Sequence, residues 1–282
     1  MAPALLPVVP ARQVGDYFLL RQLHEGEFSV YLANHVIEDV TVILKVFSLA
    51  DTRQMTQYLR ELKITKRLSS KPWSVTLLDH FIENQWGFLV LELQSMDLLT
   101  YFQSNPLLDE NALRYLFYHI CRNVASCHQR KIVHLDVKPE NVLLDSQLHL
   151  ILCDYGCSRA ENSPLDEHVV GTRWYRAPEF DKQERVFATP ALDVWSLGIT
   201  LHLLATGTLP QYINDFIAAE DQHASSPCIL YTDLLPEQIP SDRSDGLKNL
   251  LCSLLVVDPS KRKTMKQILD HPWFTQETVA SS

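Results

Sequence analysis

Long apolar runs, excess basic charge and paired cysteines are all missing from this 282-residue sequence. No apolar run approaches the ~20 residues of a membrane-spanning helix, so we expect no membrane span. The 25 Lys and Arg are outnumbered by 34 Asp and Glu, which gives a formal net charge of −9. A nucleic-acid-binding protein needs a basic face to neutralise phosphates, so we expect no nucleic-acid partner.

The six cysteines form no Cys-x-x-Cys pair, and no His stands at zinc-site spacing from them. This pattern indicates reduced thiols in an intracellular protein, with cytoplasm and nucleus both left open. The first ten residues are apolar, but they lack a charged start and are interrupted by Pro. We therefore do not expect them to form a signal peptide.

Hydrophobic residues make up 46% of the chain, enough for the core of one large domain or of two lobes. Short segments rich in β-branched and aromatic residues predict strands at 17–20, 30–33, 40–47, 75–82 and 87–93. One helix is predicted among them at 52–68. Its apolar positions recur at helical spacing: Met55, Leu59, Leu62 and Leu68. From residue 97 onward helical periodicity dominates, so the predicted fold class is α+β.

The stretch from residue 134 to residue 141 carries the most chemistry. It reads His134-Leu135-Asp136-Val137-Lys138-Pro139-Glu140-Asn141. A carboxylate, a cation and an amide at this spacing suit phosphoryl transfer, whose catalysis is mostly positioning and charge stabilisation. The stretch resembles the catalytic loop of the eukaryotic-type serine/threonine protein kinase family.

Other segments resemble the same family in the same order. Lys45 ends a segment similar to the family's lysine-bearing strand, and Glu61 follows within a segment similar to its αC helix. Asp154 stands in Cys-Asp-Tyr-Gly, similar to the metal-binding Asp-Phe-Gly with Tyr in place of Phe. Residues 171–179 and 193–198 are similar to the end of the activation segment and to the helix-F motif.

The resemblance covers residues 16–275 and implies a two-lobe protein kinase fold. The small, β-rich lobe would span about 16–93 and the large, mainly helical lobe about 97–275. Residues 1–15 and 276–282 would be terminal tails. The motifs do not assign a subfamily.

The resemblance also implies an activity, ATP and Mg²⁺ as cofactors, and protein substrates phosphorylated on Ser or Thr. Asp136 would orient the substrate hydroxyl as catalytic base, and Lys138 would neutralise the γ-phosphate. Lys45, paired with Glu61, would hold the α- and β-phosphates. Two residues would bind the metal: Asn141 and Asp154.

The remaining implied contacts are to the nucleotide. They fall on a hairpin, on a segment similar to the family's hinge, and on the adenine floor: Leu23, Gly26, Val30, Leu91, Glu92, Leu93, Asp97 and Leu143. In the hairpin only Gly26 of the family's three glycines is kept, His24 and Ser29 replace the others, and one residue is missing before Val30. We expect weaker coverage of the phosphates and a higher KM for ATP.

The phosphate switch that orders the activation segment in many family members departs from the family pattern at two positions, one in the catalytic loop and one in the segment itself. Many members have an Arg before the catalytic Asp that pairs with a phosphate on this segment, whereas this chain has Leu135. The corresponding phosphosite position holds His168, which has no hydroxyl group. We predict activity that does not require phosphorylation of this segment. Ser163-Pro164 resembles a proline-directed site and is the main alternative.

Two other functions compete with this prediction. A catalytically weak pseudokinase scaffold would keep the fold and regulate a partner, and the reduced glycine content of the hairpin favours it. The complete set of ionic residues opposes it: Lys45, Glu61, Asp136, Asn141 and Asp154. A small-molecule kinase is disfavoured by Ala-Pro-Glu at 177–179, which resembles the protein-substrate floor of protein kinases.

Overall fold

The computed structural model describes residues 12–25, 28–105, 108–165, 171–182, 185–211 and 239–275. The chain forms two compact units, Met1–Ser95 and Met96–Ser282. In the described parts of the chain, no helix is both long and apolar enough to cross a membrane.

The first unit is built on an antiparallel sheet with strand order β1-β2-β3-β4-β6-β5. The strands are β1 (Gln13–Val14), β2 (Tyr17–Glu25), β3 (Ser29–His35), β4 (Thr41–Ser48), β5 (Leu77–Glu83) and β6 (Trp86–Glu92). A single helix in this unit, α1 (Thr52–Leu68), connects β4 to β5 within the described residues. Asp51 caps its first turn by accepting hydrogen bonds from the backbone N–H groups of Arg53 and Gln54.

Helix α1 confirms the predicted helix at 52–68, but its buried face follows the apolar positions only in part: Leu68 is buried and Leu62 is partly buried. Met55 and Leu59 are 39% and 54% exposed. The buried face instead carries Tyr58 and Glu61, and Tyr58 packs with Phe47 of β4 in an aromatic cluster. A polar residue therefore lies on the face that meets the sheet, because Glu61 has a partner there.

The second unit is mainly helical. Its helices are α2 (Leu98–Ser104), α3 (Glu110–His128), α4 (Glu179–Lys182), α5 (Pro190–Thr206), α6 (Asp245–Leu254) and α7 (Met265–Leu269). Its short strands are β7 (Met96–Asp97), β8 (Ile132–Val133), β9 (Val142–Leu144), β10 (Leu150–Leu152) and β11 (Arg159–Ala160). They form a three-stranded sheet, β10-β9-β7, and a two-stranded pair, β11-β8.

Helix α5 forms the core of the second unit. It is apolar on nearly all sides and buries most of its length, which is typical of a central helix. Pro190 lies in its first turn, and Gly207 ends it in the left-handed conformation at φ 79°. The buried Asp193 in its first turn is therefore held on a rigid element. The sheet-rich first unit and the helical second unit confirm the predicted α+β fold class.

Candidate active site

Lys45 and Glu61 form a buried ion pair in the first unit. Lys45 Nζ lies 2.8 Å from both carboxylate oxygens of Glu61, and the two side chains are 4% and 2% exposed. Lys45 lies in the middle of β4, hydrogen-bonded between β3 and β6, and Glu61 lies on the buried face of α1. Both ends of the pair are thus fixed by regular structure, so the ammonium has a defined position.

The catalytic-loop stretch in the second unit is anchored through its backbone. The backbone N–H groups of His134 and Leu135 donate to the two carboxylate oxygens of Asp193, at 2.8 and 2.7 Å. Leu135 adopts φ 67°, a left-handed conformation that costs a branched side chain about 1–2 kcal/mol. The hydrogen bonds to Asp193 hold this conformation.

Asp193 has a third partner, His128 at the end of α3, whose Nε2 lies 2.7 Å from Oδ2. Burial opposes ionisation of Asp193. The hydrogen bond and charge of His128 and the other donors outweigh that effect, so the pKa of Asp193 is lowered. The anchor is therefore an ionised carboxylate enclosed by donors. His128 was not identified in the sequence analysis, because a contact across 65 residues leaves no local pattern.

The carboxylate of Asp136 is surrounded by donors from its own loop and from the activation segment. Its Oδ1 accepts the backbone N–H of Thr172 at 2.6 Å, and its Oδ2 accepts Asn141 Nδ2 at 2.8 Å. Lys138 Nζ lies 3.3 Å from Oδ2. A carboxylate has about four acceptor positions, so these three contacts leave Oδ1 able to accept a further O–H.

Lys138 also donates to the hydroxyl of Thr172 at 2.6 Å, so it contacts both Asp136 and the activation segment. The close approach of the two segments depends on Gly171. Its φ is 77°, and a Cβ at this position would lie 2.1 Å from the carbonyl oxygen of Leu135. Only glycine allows this contact without displacing the backbone.

Asn141 and Asp154 supply oxygen donors suited to a hard cation. Asn141 uses Nδ2 to donate to both the backbone and the side chain of Asp136, which turns its oxygen away from that contact. Asp154 is half-buried at φ 58° and accepts the N–H of Gly156 at 3.3 Å. Mg²⁺ in phosphoryl-transfer sites typically takes one or two protein ligands plus phosphate oxygens, so this donor set fits it.

No group of three or more His, Cys, Asp or Glu in the described ranges is arranged to hold a metal by itself. The fit to Mg²⁺ therefore rests on a shared site with phosphate rather than on a protein cage. Tyr155, in place of the family's Phe, is fully buried, and its hydroxyl donates to the carbonyl of Leu152 at 3.2 Å. The added polar atom thus has a partner.

The predicted nucleotide contacts lie in both units. Leu23 and Val30 lie on the β2–β3 hairpin, where Val30 is paired with Lys45 across β3 and β4. Gly26 lies outside the described residues. In the hinge-like segment Leu91 is buried, whereas Glu92 and Leu93 are exposed.

Asp97 and Leu143 lie in the second unit, paired with each other across β7 and β9. Both carboxylate oxygens of Asp97 accept hydrogen bonds from Thr100, from its backbone N–H and from its hydroxyl, each at 2.8 Å. Asp97 therefore caps α2. A ribose hydroxyl or a basic side chain would have to share this carboxylate with Thr100.

The side chain of Leu135 lies in an apolar cluster. It is 6% exposed and packs in a core with Leu165 and Tyr175 of the activation segment. Partly buried Trp174 and Cys157 pack against the same core. An apolar contact thus joins the catalytic loop to the activation segment at this position. His168 lies outside the described residues.

Glu179 and Arg262 close the far end of the activation segment with a bidentate ion pair at 2.9 and 3.0 Å. The Arg262 side chain is fully buried and also donates to the carbonyls of Ala191 and Val256. The structure thus brings together two residues that are 83 positions apart in the chain.

Similarity to known proteins agrees with this geometry. A family description of the protein kinase domain matches residues 17–274. The chain belongs to the protein kinase domain family. Similar proteins include a carbon catabolite-derepressing protein kinase of Candida tropicalis, 34% identical over 96% of this chain and 43% of that protein.

Two further relatives have similar sequence identity to this chain. The SNF1-like protein kinase ssp2 of Schizosaccharomyces pombe is 31% identical over 94% of this chain and 45% of that protein. The serine/threonine-protein kinase SIK1 of Mus musculus is 33% identical over 93% of this chain and 33% of that protein. This kinase-family chain therefore spans less than half the length of these relatives.

Proposed function

We propose that the chain is a protein serine/threonine kinase that transfers the γ-phosphoryl group of Mg-ATP to Ser or Thr hydroxyls of proteins. The observation that carries the proposal is the complete set of ionic residues, which are paired within each unit. Lys45 is paired with Glu61 at 2.8 Å, and Asp136 is in contact with Asn141, Lys138 and the N–H of Thr172. We assign residues 16–275 as the kinase domain and residues 1–15 and 276–282 as flanking segments, of which Gln13 and Val14 pair with β2.

Asp136 is the base in this proposal. Its Oδ1 accepts the proton of the substrate hydroxyl, while Asn141 and the N–H of Thr172 fix the direction of the carboxylate. Lys138 carries the positive charge closest to Asp136 and neutralises the transferred phosphoryl group. Lys45, held by Glu61, binds the α- and β-phosphates.

Asn141 and Asp154 would hold Mg²⁺ through one amide oxygen and one carboxylate. When bound, Mg²⁺ neutralises charge on the phosphate oxygens. Nucleotide contacts are assigned to both units: Leu23, Gly26, Val30, Leu91, Glu92, Leu93, Asp97 and Leu143. Because Asp97 already accepts two hydrogen bonds from Thr100, its share in ribose binding is the least supported by geometry.

The proposed enzyme does not need phosphorylation of its activation segment. Leu135 replaces the cation that would bind a phosphate, and its side chain packs with Leu165 and Tyr175. Two hydrogen bonds hold the segment independently at Thr172. Its backbone N–H donates to Asp136, and its hydroxyl accepts from Lys138. Packing and hydrogen bonds thus supply the order that phosphate supplies elsewhere in the family.

A substrate with a basic residue near the phosphosite fits the acidic residues of the second unit. Desolvation is the main cause that raises the pKa of Glu140; Lys138 opposes the shift, and repulsion from Asp136 and Asp97 adds to it, so a further cation would favour the ionised carboxylate. A positional peptide library should show selection for Arg or Lys before the phosphosite. A flat preference at those positions would dismiss this part of the proposal.

The decisive experiment is a phosphotransfer assay with labelled Mg-ATP and a mixed protein substrate. We expect transfer by the wild type, and a loss of at least about 100-fold in Asp136→Asn, because the general base is removed. Asp145→Asn makes the same chemical change on an exposed turn of the same unit and should keep full activity.

The scaffold alternative predicts a different result in the same assay. If the wild type neither binds Mg-ATP nor transfers phosphate to any protein, the chain is a pseudokinase. The dependence on activation-segment phosphate is tested separately by phosphatase treatment. We expect the rate to stay within about twofold. A large loss, reproduced by Ser163→Ala, would show that Ser163 is an activating phosphosite.

A further inference from the structure

The shortened β2–β3 hairpin places an aromatic ring on the ammonium group of Lys45. Lys45 Nζ lies 3.8 Å from the ring centroid of Phe28 and 5.6 Å from that of Phe47. An ammonium within about 6 Å of a ring centroid is attracted by the negative face of the ring. Lys45 therefore contacts Glu61 and an aromatic ring at the same time.

Strand register explains why Phe28 reaches this position. Glu25 pairs with Ser29, so only residues 26–28 connect β2 to β3. Ser29 pairs with Val46 and Val30 with Lys45, and continuing this register by one residue puts Phe28 opposite Phe47. Cross-strand partners and their diagonal neighbours share one face of a sheet, so Phe28 lies on the same face as Lys45.

Packing holds the ring in place. The centroids of Phe28 and Phe47 are 5.6 Å apart, and Phe47 lies 5.6 Å from Tyr58 of α1. Phe28 is one of the partly buried side chains packed against the cluster of Phe47, Tyr58 and Leu89. The ring of His24, which replaces a family glycine, has its centroid 6.2 Å from that of Phe28.

We infer that Phe28 is a positioning residue that covers Lys45 and competes with nucleotide phosphates for its ammonium group. This role rests on the proposed binding of ATP phosphates by Lys45. The competition follows because a phosphate oxygen and the ring face approach the same small cation. It gives a physical cause for the weak ATP binding expected from the hairpin.

Acylation of Lys45 by acetic anhydride, followed by mass spectrometry, tests the covering directly and without nucleotide. Phe28→Leu keeps an apolar side chain but removes the ring, and we expect Lys45 to be acylated about 3- to 10-fold faster. Phe28→Tyr keeps the ring and should retain the slow rate. Phe81→Leu removes a partly buried ring of the same sheet that stacks on Phe88, and it should leave the rate unchanged.

Nucleotide binding tests the competition. We expect Phe28→Leu to bind Mg-ATP about 3- to 10-fold more tightly than the wild type in a calorimetric titration. In steady-state kinetics the KM for ATP should fall, with little change in kcat. Thermal unfolding of each variant reports whether the fold is intact. A general loss of structure would accelerate acylation of other lysines as well, whereas the inference requires an effect confined to Lys45.

The outcomes separate the inference from the proposed function. Equal acylation of Lys45 in wild type and Phe28→Leu overturns the covering by Phe28, whatever the protein does with ATP. Faster acylation of Lys45 in Phe28→Leu, with unchanged or weaker nucleotide binding, overturns the competition. Phe28 would then not oppose the binding of nucleotide phosphates. Absence of nucleotide binding in both proteins, with a normal catalytic loop, overturns the proposed function and the competition together, while the acylation result still decides the covering.

Discussion

The catalytic loop of the larger unit and the β2–β3 hairpin of the smaller unit are held by different interactions. Residues 134–136 are fixed by hydrogen bonds to buried charged groups, chiefly Asp193, and by backbone contact with Gly171. The hairpin instead positions Phe28 by contacts among aromatic rings. Hydrogen bonds to buried charges need both partners in fixed geometry, whereas ring packing tolerates changes of shape and volume.

This difference matches what each region retains of the family pattern. The loop keeps Asp136, Lys138 and Asn141, and Leu135, which replaces the family's Arg, packs its side chain in an apolar core. The hairpin has lost two of three glycines and one residue. We expect substitutions in the loop to have large effects on transfer and those in the hairpin to adjust nucleotide affinity by small factors.

Asp193→Asn should have the largest effect, because it breaks the polar anchor. The amide would present an N–H₂ group to a backbone N–H donor and would no longer balance His128. Breaking a buried charged contact costs about 3–5 kcal/mol, and we expect transfer to fall by at least about 100-fold. Urea unfolding and steady-state kinetics measure the two effects. Asp270→Asn, on an exposed helix end, is the matched control, and equal behaviour of both variants would show that Asp193 is not an anchor.

Leu135→Arg tests whether the loop depends on apolar as well as polar contacts. The substitution restores the family residue but puts a cation in the cluster with Leu165 and Tyr175. We expect a loss of about 2–4 kcal/mol in unfolding free energy and no gain of phosphate-dependent activity. Leu135→Met, which nearly conserves volume, should cost less than about 1.5 kcal/mol. An Arg variant as stable as the Met variant would refute the apolar role.

Gly171→Ala isolates the close contact between loop and activation segment. Gly171 and Gly207 have nearly the same φ, 77° and 79°, but a Cβ at 207 would meet nothing within 4 Å. Gly207→Ala should therefore cost only the left-handed conformation, about 1 kcal/mol, and keep its kcat. Gly171→Ala should cost about 1–3 kcal/mol more and lower kcat at least about tenfold. Equal kcat values in the two variants would rule out the contact with Leu135 as a determinant of geometry.

The acid dependence of stability gives the smallest expected effect. The pKa of Asp193 is lowered from 3.8 in the folded state, so its contribution to stability is present above pH 3.8 and is lost as the pH falls further. The difference in unfolding free energy between wild type and Asp193→Asn should therefore be constant near neutral pH and shrink below about 3.8. Urea titrations from pH 7 to pH 3 measure it. If this difference in unfolding free energy instead grew on acidification, the pKa of Asp193 would be raised rather than lowered in the folded state.

The fold was predictable because it follows from periodicity. The strand-rich first part, the helix at 52–68 and the helical second part were all visible as local patterns. The buried face of α1 was not predictable in the same way, because Met55 and Leu59 carry the apolar spacing but lie at the surface. Glu61 is buried since Lys45 neutralises it, and that partner is 16 residues away.

The site was predictable where short motifs carry its chemistry and not where distant residues support it. Asp136, Lys138 and Asn141 lie within six residues, so their proximity is visible in the sequence. The contact between His128 and Asp193, and the fit of Gly171 against the Leu135 carbonyl, join segments far apart in the chain. Phe28 could be named as the hairpin tip, but its contact with Lys45 depends on strand register.

The packing of Leu135 has a consequence for how this chain can evolve. Regaining a phosphate switch needs a cation at 135 and a hydroxyl at 168, and neither change is useful alone. An Arg at 135 places charge in an apolar cluster before any phosphate exists to bind it, and a Ser or Thr at 168 gains a phosphate with no Arg to receive it. Selection would have to pass through a less stable or an unregulated intermediate. Under the proposed phosphate-independent activity, the apolar packing of Leu135 thus opposes recovery of this switch by single substitutions.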